Sequence, residues 1–174
     1  THYKYLKTSM HLNKDIIVEK PIVKNLNELI KLRKKNKSFN GNILIHHNDV
    51  LNLEKSKYLL KKKFQSIKIK YGKKVFNKIN ESPHLDWLPH PLAVILNFFG
   101  KPKRFKILNY KKTIKNNNVI EDLNIIFNLN KYNINLEFSN NLNKPTKQIF
   151  FIIKNKTQKI YDGYNKRNQR SIIR

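Results

Sequence analysis

The stretch around which the chain is organised reads Ser82-Pro83-His84-Leu85-Asp86-Trp87-Leu88-Pro89-His90-Pro91, and it continues into an apolar segment, 92–99, that stops at Gly100. It puts Asp86 and His90 four residues apart, beside the single tryptophan of the chain. A proline suits the first turn of a helix, where its missing N–H costs nothing. Because almost no polar position interrupts 92–99, we expect a short helix that is buried inside the fold. A titratable pair at the mouth of a buried helix is a candidate for chemistry.

Composition limits the class of protein. With 174 residues the chain is long enough for one domain of ordinary size or for two incomplete halves. It contains no cysteine, which excludes disulfides and thiolate metal sites. No apolar run approaches the ~20 residues that a membrane-spanning helix needs, and the first residues do not build the apolar core of a signal peptide. We therefore expect a soluble, cytoplasmic protein without a membrane partner.

The charge of the chain is strongly positive. Basic residues number 37 and acidic residues 11, so the net charge is +26 and the pI is near 10.2. Such an excess is typical of proteins that bind nucleic acid, for instance ribosomal proteins. Arginine, which nucleic-acid readers favour for bidentate contacts, occurs only five times. Lysine enrichment from an AT-rich coding sequence is the favoured explanation of the charge, and nucleic-acid binding is kept as the alternative function.

The first part of the chain alternates between helical and strand patterns. Helical apolar spacing over 2–12 gives way to a short apolar run at 15–18. Asn25 is a plausible N-cap, with Glu28 as its capping-box partner, and it predicts the start of a second helix. A second apolar strand follows at 42–46. Helices and strands that alternate in this way predict an α/β unit with parallel strands.

The pattern changes in the second part of the chain. The segment 49–62 has the apolar spacing of another helix. From 67 onwards, outside the helix at 92–99, apolar residues mostly alternate with polar ones and asparagine-rich turns separate the runs. This alternation predicts an antiparallel sheet with one packed face and one wet face. We expect a seam near 47–65, with α/β structure before it and α+β structure after it.

Three polar residues form the candidate constellation for catalysis. Lys20 follows a predicted parallel strand, and open α/β sheets place ligand chemistry at the carboxyl ends of their strands. A lysine there can donate to a substrate hydroxyl and lower its pKa. Asp86 and His90 can supply a base that is oriented by a carboxylate, as needed to take a proton from an alcohol. Together they suit the removal of a hydride from a carbinol to a nicotinamide.

Each candidate also has a structural explanation. Lys20 taken alone is a solvated surface lysine, His90 is a polar group at the start of a helix, and Asp86 is a helix or turn cap. A degenerate domain kept only for assembly would explain all three. Six histidines and aspartates in two separate segments of the chain could be combined into a metal site. Their positions in the sequence match no compact spacing of metal ligands, so we predict no metal. Those ligands would be His46, His47, Asp49, His84, Asp86 and His90.

Two motifs in this order resemble a known family of oxidoreductases. Glu19-Lys20-Pro21 follows a strand, and Asp86-Trp87-Leu88-Pro89-His90 enters an apolar helix that ends in Gly100-Lys101-Pro102. This combination resembles the Gfo/Idh/MocA family, which comprises enzymes of the glucose–fructose oxidoreductase and inositol dehydrogenase type. The resemblance covers about the whole chain in order. It is strongest at 14–32 and 82–102 and thin after about residue 120.

The resemblance implies a fold, a reaction and partners. Residues 1–47 would be the C-terminal part of a Rossmann-like dinucleotide domain, and 48–174 an antiparallel-sheet α+β domain for substrate binding and oligomerisation. The implied reaction transfers a hydride between NAD or NADP and a hydroxyl of a sugar or polyol. The implied partners are this small-molecule substrate and further copies of the chain, joined through the sheet.

The family's functional residues carry over onto matching positions. The resemblance implies that Lys20 is catalytic and lies beside the nicotinamide and the substrate, and that Glu19 and Pro21 shape the loop under the cofactor. Asp86 would be the substrate-binding carboxylate and His90 the acid/base. A looser match implies that two residues at the transition to the second domain lie near the substrate, namely His47 and Asn48.

Two departures from the family pattern affect these expectations. Leu88 stands where the family usually has a glycine; if that position needs a positive φ, the leucine would strain the turn and displace His90. Gly41 is the first glycine of the chain, so no Gly-x-Gly-x-x-Gly turn precedes Lys20. We therefore expect a chain that begins within the Rossmann-like domain, binds NAD(P) poorly on its own and is inactive alone. A cut parallel sheet would also expose an edge and apolar surface that favour association.

Overall fold

A computed structural model describes residues 2–54, 63–74, 77–78 and 83–164 of the chain. The chain divides into two compact units, Thr1–Asn48 and Asp49–Arg174, called unit 1 and unit 2 below. Each unit has its own cluster of buried apolar side chains. Two hydrophobic cores are what an α/β fragment followed by a separate sheet domain requires.

Unit 1 is a small α/β unit. A helix, α1 (His2–Ser9), continues into a short 3₁₀ turn, Met10–Leu12, and is followed by β1 (Ile16–Glu19), α2 (Leu26–Asn36) and β2 (Ile43–His46). Strands β1 and β2 pair in parallel. Their inner side chains pack on the buried residues of the helices, which are Leu6, Met10 and Leu32. The alternating α/β pattern with parallel strands is confirmed.

Side-chain hydrogen bonds fix the start of α2. The backbone N–H of Glu28 donates to Oδ1 of Asn25 at 2.9 Å, and the Glu28 carboxylate accepts from the backbone N–H of Lys24 at 2.7 Å. These bonds satisfy N–H groups that the first turn of a helix leaves without partners. The predicted capping pair is therefore confirmed, with the glutamate reaching back to the residue before the cap.

Unit 2 combines short helices with a large sheet. It begins in α3 (Asn48–Glu54); the remainder of the predicted helix 49–62 lies outside the described residues. The other elements are β3 (Ser66–Gly72), β4 (Asn77–Lys78), α4 (Pro83–Trp87), α5 (Pro89–Val94), β5 (Arg104–Lys115), β6 (Asn118–Asn128), β7 (Asn133–Ser139), β8 (Thr146–Ile153) and β9 (Lys156–Asp162).

The sheet of unit 2 is mixed. In the described part of the chain it contains seven strands in the order β4-β6-β7-β3-β8-β9, with β5 also paired to β6. All neighbours are antiparallel except β3 and β7, which run parallel from Ser66↔Asn133 to Gly72↔Ser139. Short turns force chain neighbours to be antiparallel, whereas β3 and β7 are far apart in sequence and carry no such constraint. The fold class is confirmed, with this one parallel pair added to the antiparallel sheet.

One face of the sheet forms the core of unit 2. Its buried side chains alternate along β3, β6, β7 and β8 and pack against Trp87, Val94 and Ile95. The other face consists of half-buried residues. In the Asn118–Asn128 strand, for example, buried and half-buried side chains alternate without interruption. One packed face beside a wetter one is the arrangement that the period-two pattern predicts.

The helix that the sequence predicts at 92–99 is shorter and less enclosed than expected. After α5 the chain makes a π-helical turn, Ile95–Phe99, which Gly100 closes with φ +95° and an N–H bond to the Ile95 carbonyl at 3.1 Å. Leu96 is 55% exposed, so the expectation of a helix buried on all sides is wrong. The helix lies on one face of the sheet, and only its inner side is covered. Leu88 has φ −62°, an ordinary helical value, so the leucine strains nothing.

Candidate functional site

The loop after β1 carries the predicted cofactor residues. Glu19 is the last residue of β1, and its carboxylate lies 2.5 Å from Nδ1 of His46, the last residue of the parallel neighbour β2. The hydrogen bond from His46 lowers the pKa of the Glu19 carboxyl, against a smaller opposing effect of burial. Lys20 and Pro21 follow directly and are half-buried. These residues therefore lie at the carboxyl end of both strands of unit 1, where α/β sheets bind ligands.

The remaining predicted residues fall in both units. His47 and Asn48 follow β2, the first half-buried and the second exposed. Asp86 lies in α4 and is exposed, while His90 lies in the first turn of α5 with a side chain that is only 14% exposed. Unit 1 thus holds all the residues predicted for the cofactor, and unit 2 holds Asp86 and His90.

A buried carboxylate contacts His90 within unit 2. Asp49, in the first turn of α3, is 2% exposed, and its Oδ2 lies 3.1 Å from Nδ1 of His90. Nζ of Lys147 donates to both carboxylate oxygens, at 3.2 and 3.1 Å, and the Tyr161 hydroxyl lies 3.3 Å from Oδ1. Asp49, His90, Lys147 and Tyr161 are called the Asp49 cluster below. Four elements, α3, α5, β8 and β9, each contribute one member.

The charges of the Asp49 cluster balance each other. Burial alone would raise the pKa of the Asp49 carboxyl, but the hydrogen bond from His90 and the charge of Lys147 outweigh it and hold the pKa below its usual value. Burial and the neighbouring Asp49 charge raise the pKa of Tyr161 well above 10, so its hydroxyl stays a neutral donor. Lys147 also lies over the ring of Trp87, with Nζ 5.5 Å from the ring centre. The cluster is therefore a buried anion paired with a buried cation.

The contact at Nδ1 determines which nitrogen of His90 can exchange a proton. A carboxylate accepts the proton of Nδ1–H, and the neutral ring then carries its lone pair on Nε2. Holding an imidazole in one tautomer and one orientation is what a buried aspartate contributes to histidine-based catalysis. The arrangement can therefore act as a general base through Nε2 of His90.

A second histidine of the same segment also contacts a buried carboxylate. Nδ1 of His84 lies 2.8 Å from Oε2 of Glu121, which is 2% exposed. The Tyr110 hydroxyl donates to the other carboxylate oxygen at 3.1 Å. Burial lowers the pKa of His84, more than the charge of Glu121 raises it. A neutral His84 therefore anchors α4 on the sheet through strand β6.

Sequence reasoning found no sign that Asp49 contacts His90. It named Asp86, four residues away, as the orienting carboxylate, whereas the carboxylate at Nδ1 is that of Asp49. Lys147 and Tyr161 are separated from Asp49 by 98 and 112 residues, respectively. Asp49 itself has the sequence signature of an ordinary acidic residue in a first helical turn. No local pattern distinguishes this aspartate or this lysine from the many others that lie on surfaces.

Comparison with known proteins gives a match in structure and none in sequence. No protein-family model matches the chain, and no curated protein matches it. A dehydrogenase (MviM) from Clostridium difficile superposes with a TM-score of 0.73 at 16% identity, over 94% of this chain and 54% of the other. An oxidoreductase from Agrobacterium radiobacter, in complex with NAD⁺, L-tartaric acid and magnesium, gives 0.73 at 12% identity, over 94% and 53%.

A third solved structure also superposes on most of this chain. The WlbA dehydrogenase from Thermus thermophilus, in complex with NAD and α-ketoglutarate, superposes with a TM-score of 0.59 at 13% identity, over 94% of this chain and 58% of the other. Within the described ranges every helix is too short or too polar to cross a membrane. The chain spans about half the length of the solved structures that it matches, and over that half it shares the fold of these oxidoreductases.

Proposed function

We propose that the chain forms the catalytic-lysine part and the substrate domain of an NAD(P)-dependent oxidoreductase of the Gfo/Idh/MocA type. The observation that supports this most is the superposition of 94% of the chain, both units included, on oxidoreductases whose structures contain NAD. The substrate that we propose is a sugar or polyol with a secondary hydroxyl. L-tartaric acid, present in one of those structures, carries two such hydroxyls.

The residues that we propose for catalysis divide the work on one carbinol. The Lys20 ammonium donates a hydrogen bond to the substrate oxygen and stabilises negative charge as it develops there. Nε2 of His90 takes the hydroxyl proton as general base and returns it in the reverse reaction. Asp86 accepts a hydrogen bond from a neighbouring hydroxyl and orients the ring or chain of the substrate. His47 and Asn48 are proposed as further contacts on the substrate side.

The residues present fit one end of the proposed cofactor. Glu19, Lys20 and Pro21 lie at the carboxyl end of β1, which suits a nicotinamide beside Lys20. The pyrophosphate needs a glycine-rich turn at a helix N-terminus, and the first 40 residues of this sequence contain no glycine. A bound nicotinamide would supply the hydride acceptor. We therefore propose that these 174 residues alone hold NAD(P) weakly and turn over poorly.

We also propose a cytoplasmic location and self-association through the sheet. A chain without cysteine suits a reducing compartment. Among the strands that the structure describes, β5 pairs with β6 alone and carries exposed apolar side chains, a combination that favours contact with another copy. These side chains are Phe105, Ile107, Leu108, Tyr110 and Ile114.

A dehydrogenase assay on the polypeptide encoded by the complete reading frame tests the proposed function. NADH or NADPH formation is followed with a panel of sugars and polyols, which also identifies the cofactor. We expect Lys20→Met and His90→Gln each to lower kcat/KM about 10²–10⁴-fold, the range for a lost general acid or base. Lys24→Met, which changes an exposed lysine of the same loop, is the matched control and should leave kcat/KM unchanged.

Two outcomes would contradict the proposal. Wild-type kinetics in both variants would show that Lys20 and His90 do not take part in the reaction. Absence of activity with every substrate, together with RNA binding that weakens steeply with salt and is the same in His90→Gln, would instead favour the nucleic-acid alternative. Trp87 fluorescence provides a direct probe of whether a polyol or RNA binds, because the Trp87 ring lies 6.1 Å from that of His90.

A further inference from the structure

We infer that Asp49 is a positioning residue for His90, holding the imidazole with its proton on Nδ1, and that Lys147 and Tyr161 hold the carboxylate in place. This inference rests on the proposed function only for the role of His90 as acid/base. The arrangement of the cluster itself is a property of unit 2 and can be tested without a substrate.

The geometry leaves Asp49 one orientation. Oδ2 is 3.1 Å from His90 Nδ1 and 3.1 Å from Lys147 Nζ. Oδ1 is 3.2 Å from the same Nζ and 3.3 Å from the Tyr161 hydroxyl. A rotation of the carboxylate would lose a charge-assisted contact on one oxygen and a hydroxyl donor on the other. Because Asp49 is 2% exposed, water cannot replace either contact, so the imidazole is held against a fixed acceptor.

The backbone around the cluster is built to hold the two supporting residues. Lys147 lies in β8, and its carbonyl accepts the N–H of Gly163 at 2.8 Å, just beyond the end of β9. A Cβ on Gly163 would lie 2.9 Å from Lys147 Cβ and 3.0 Å from the Tyr161 hydroxyl oxygen. Glycine therefore permits the close approach of β8 and β9 that brings both donors to Asp49.

The groups around Asp49 keep its charge fixed. Asp49 is faced by His90 from α5, Lys147 from β8, Tyr161 from β9, Tyr71 from β3 and Tyr164 beyond β9. The tyrosines stay neutral because burial, with the charge of Asp49, raises the pKa of each. Asp49 stays ionised because its pKa is held below the usual value. Near neutral pH Asp49 therefore presents a fixed anionic acceptor to His90, flanked by neutral hydroxyl groups.

The tautomer of His90 is the direct readout. The 174-residue chain is labelled with ¹⁵N-histidine, and long-range ¹H–¹⁵N spectra are recorded above the imidazole titration. His90→Gln assigns the His90 signals among the six histidines. We expect a protonated Nδ1 and an unprotonated Nε2 in the wild type, and conversion of most of the population to Nε2–H in Asp49→Asn. Asp122→Asn, which changes a half-buried aspartate on the outer sheet face, is the matched control and should keep the wild-type tautomer.

The wild-type spectrum alone can overturn the inference. If His90 carries its proton on Nε2, Asp49 does not hold the ring as inferred, whatever the variants do. If Asp49→Asn does not fold, Tyr161→Phe, which removes one hydroxyl only, should still raise the Nε2–H population by a measurable fraction. An unchanged tautomer in every folded variant would also contradict the inference.

Kinetics on the complete enzyme distinguish this inference from the proposed function. If the dehydrogenase is active, Asp49→Asn should lower kcat about 10²–10⁴-fold with little change in KM, because a misoriented base affects the transition state more than ground-state binding. A correct tautomer in a protein without dehydrogenase activity would contradict the proposed function and leave the role of Asp49 standing. An active enzyme with the Nε2–H tautomer would contradict only the role of Asp49.

Discussion

Asp49 shows how a buried negative charge is neutralised in a strongly basic protein. The chain has a net charge of +26, yet the cation that neutralises Asp49 is a specific one, Lys147, whose side chain is 16% exposed. Exposed lysines contribute little to such a site because water and salt screen them. Among the contacts of Asp49, the one with Lys147 supplies a full positive charge from a residue 98 positions away in the chain.

Removing that cation should destabilise unit 2. Lys147→Met keeps the length and apolar stem of the side chain but leaves Asp49 without its charged partner. We expect the free energy of unfolding to fall by about 3–5 kcal/mol, the usual cost of breaking a buried ion pair. Urea unfolding of the 174-residue chain, followed by Trp87 fluorescence, measures the change. Lys144→Met, at an exposed position, should cost less than about 0.5 kcal/mol; equal losses in both variants would show that the Asp49 contact stabilises nothing.

Leu88 illustrates a sequence inference that backbone geometry corrects. The family pattern usually has a glycine at this position, and a leucine would be strained there only if the position needed a positive φ. In the structure Leu88 joins α4 to α5 with φ −62°, and its carbonyl accepts the N–H of Leu92 at 3.3 Å. A helical turn between the two helices accepts any L-residue, so His90 is not displaced by the leucine. The roles of Lys20, Asp86 and His90 themselves stay predictions.

At the scale of elements, β5 differs from the other strands. Its register pairs Phe105 with Phe127 and Ile107 with Ile125, whose side chains belong to the packed face of the sheet. Phe105 is nevertheless 66% exposed and Ile107 52% exposed. The helices cover the middle of this face and leave the β5 edge uncovered. An apolar row on an edge strand is a surface suited to a second copy of the chain.

This surface should control the oligomeric state. In Phe105→Lys/Ile107→Lys, charge replaces the two side chains of the uncovered row, so we expect the dissociation constant for self-association to rise about tenfold or more. Sedimentation velocity over a range of concentrations measures the change. Lys106→Ser, between them on the opposite face, is the matched control and should associate like the wild type. A wild type that stays monomeric at all concentrations would contradict the proposal outright.

Elements with a local signal were predictable, and pairings without one were not. Alternation of apolar and polar residues identified β6 and β7 because each strand carries its own pattern. The parallel pairing of β3 with β7 leaves no such trace, since a strand has the same alternation beside a parallel or an antiparallel neighbour. The pattern predicted one helix over 92–99 and missed both the separate helix α4 before it and the π-helical turn after α5, because all these pieces present apolar residues to the same sheet.

At the scale of the whole molecule, buried titratable groups link stability to pH. Burial lowers the pKa of His84 below 6.5, so the folded chain binds fewer protons than the unfolded chain in the window just below that pH. Stability in this window therefore rises with pH. The pKa of Asp49 is below 3.8 in the folded state, and so is that of Asp162, where hydrogen bonds from Gln148 and Lys159 outweigh the effect of burial. Their contribution is present above pH 3.8 and is lost as the pH falls further.

The unfolding free energy should therefore decline in two steps as the pH falls. The first step begins below about pH 6.5, with a slope that one group limits to about 1.4 kcal/mol per pH unit. His84→Gln should flatten this step, because the glutamine does not titrate, and His11→Gln, at an exposed position, should not. Urea unfolding at a series of pH values from 7.5 to 3 measures both steps. A first step that is the same in all three proteins would contradict the assignment to His84.

The sequence by itself determined what depends on neighbours along the chain. The helix cap at Asn25 and the stop at Gly100 follow from patterns a few residues long. The parallel pairing of β1 and β2 follows from helices and strands that alternate along the first part of the chain. The order of the Glu19-Lys20-Pro21 and Asp86–His90 motifs is read directly from the sequence. Such patterns act through local backbone and side-chain geometry, which the sequence specifies directly.

Only the tertiary structure decided which charges are buried and what they contact. Asp49 meets Lys147 and Tyr161 across 98 and 112 residues, and His84 meets Glu121 across two elements. The physical reason is that burial belongs to the assembled sheet and helices and not to any one segment. An aspartate or a lysine becomes special only when water is excluded around it, and long-range packing alone excludes that water.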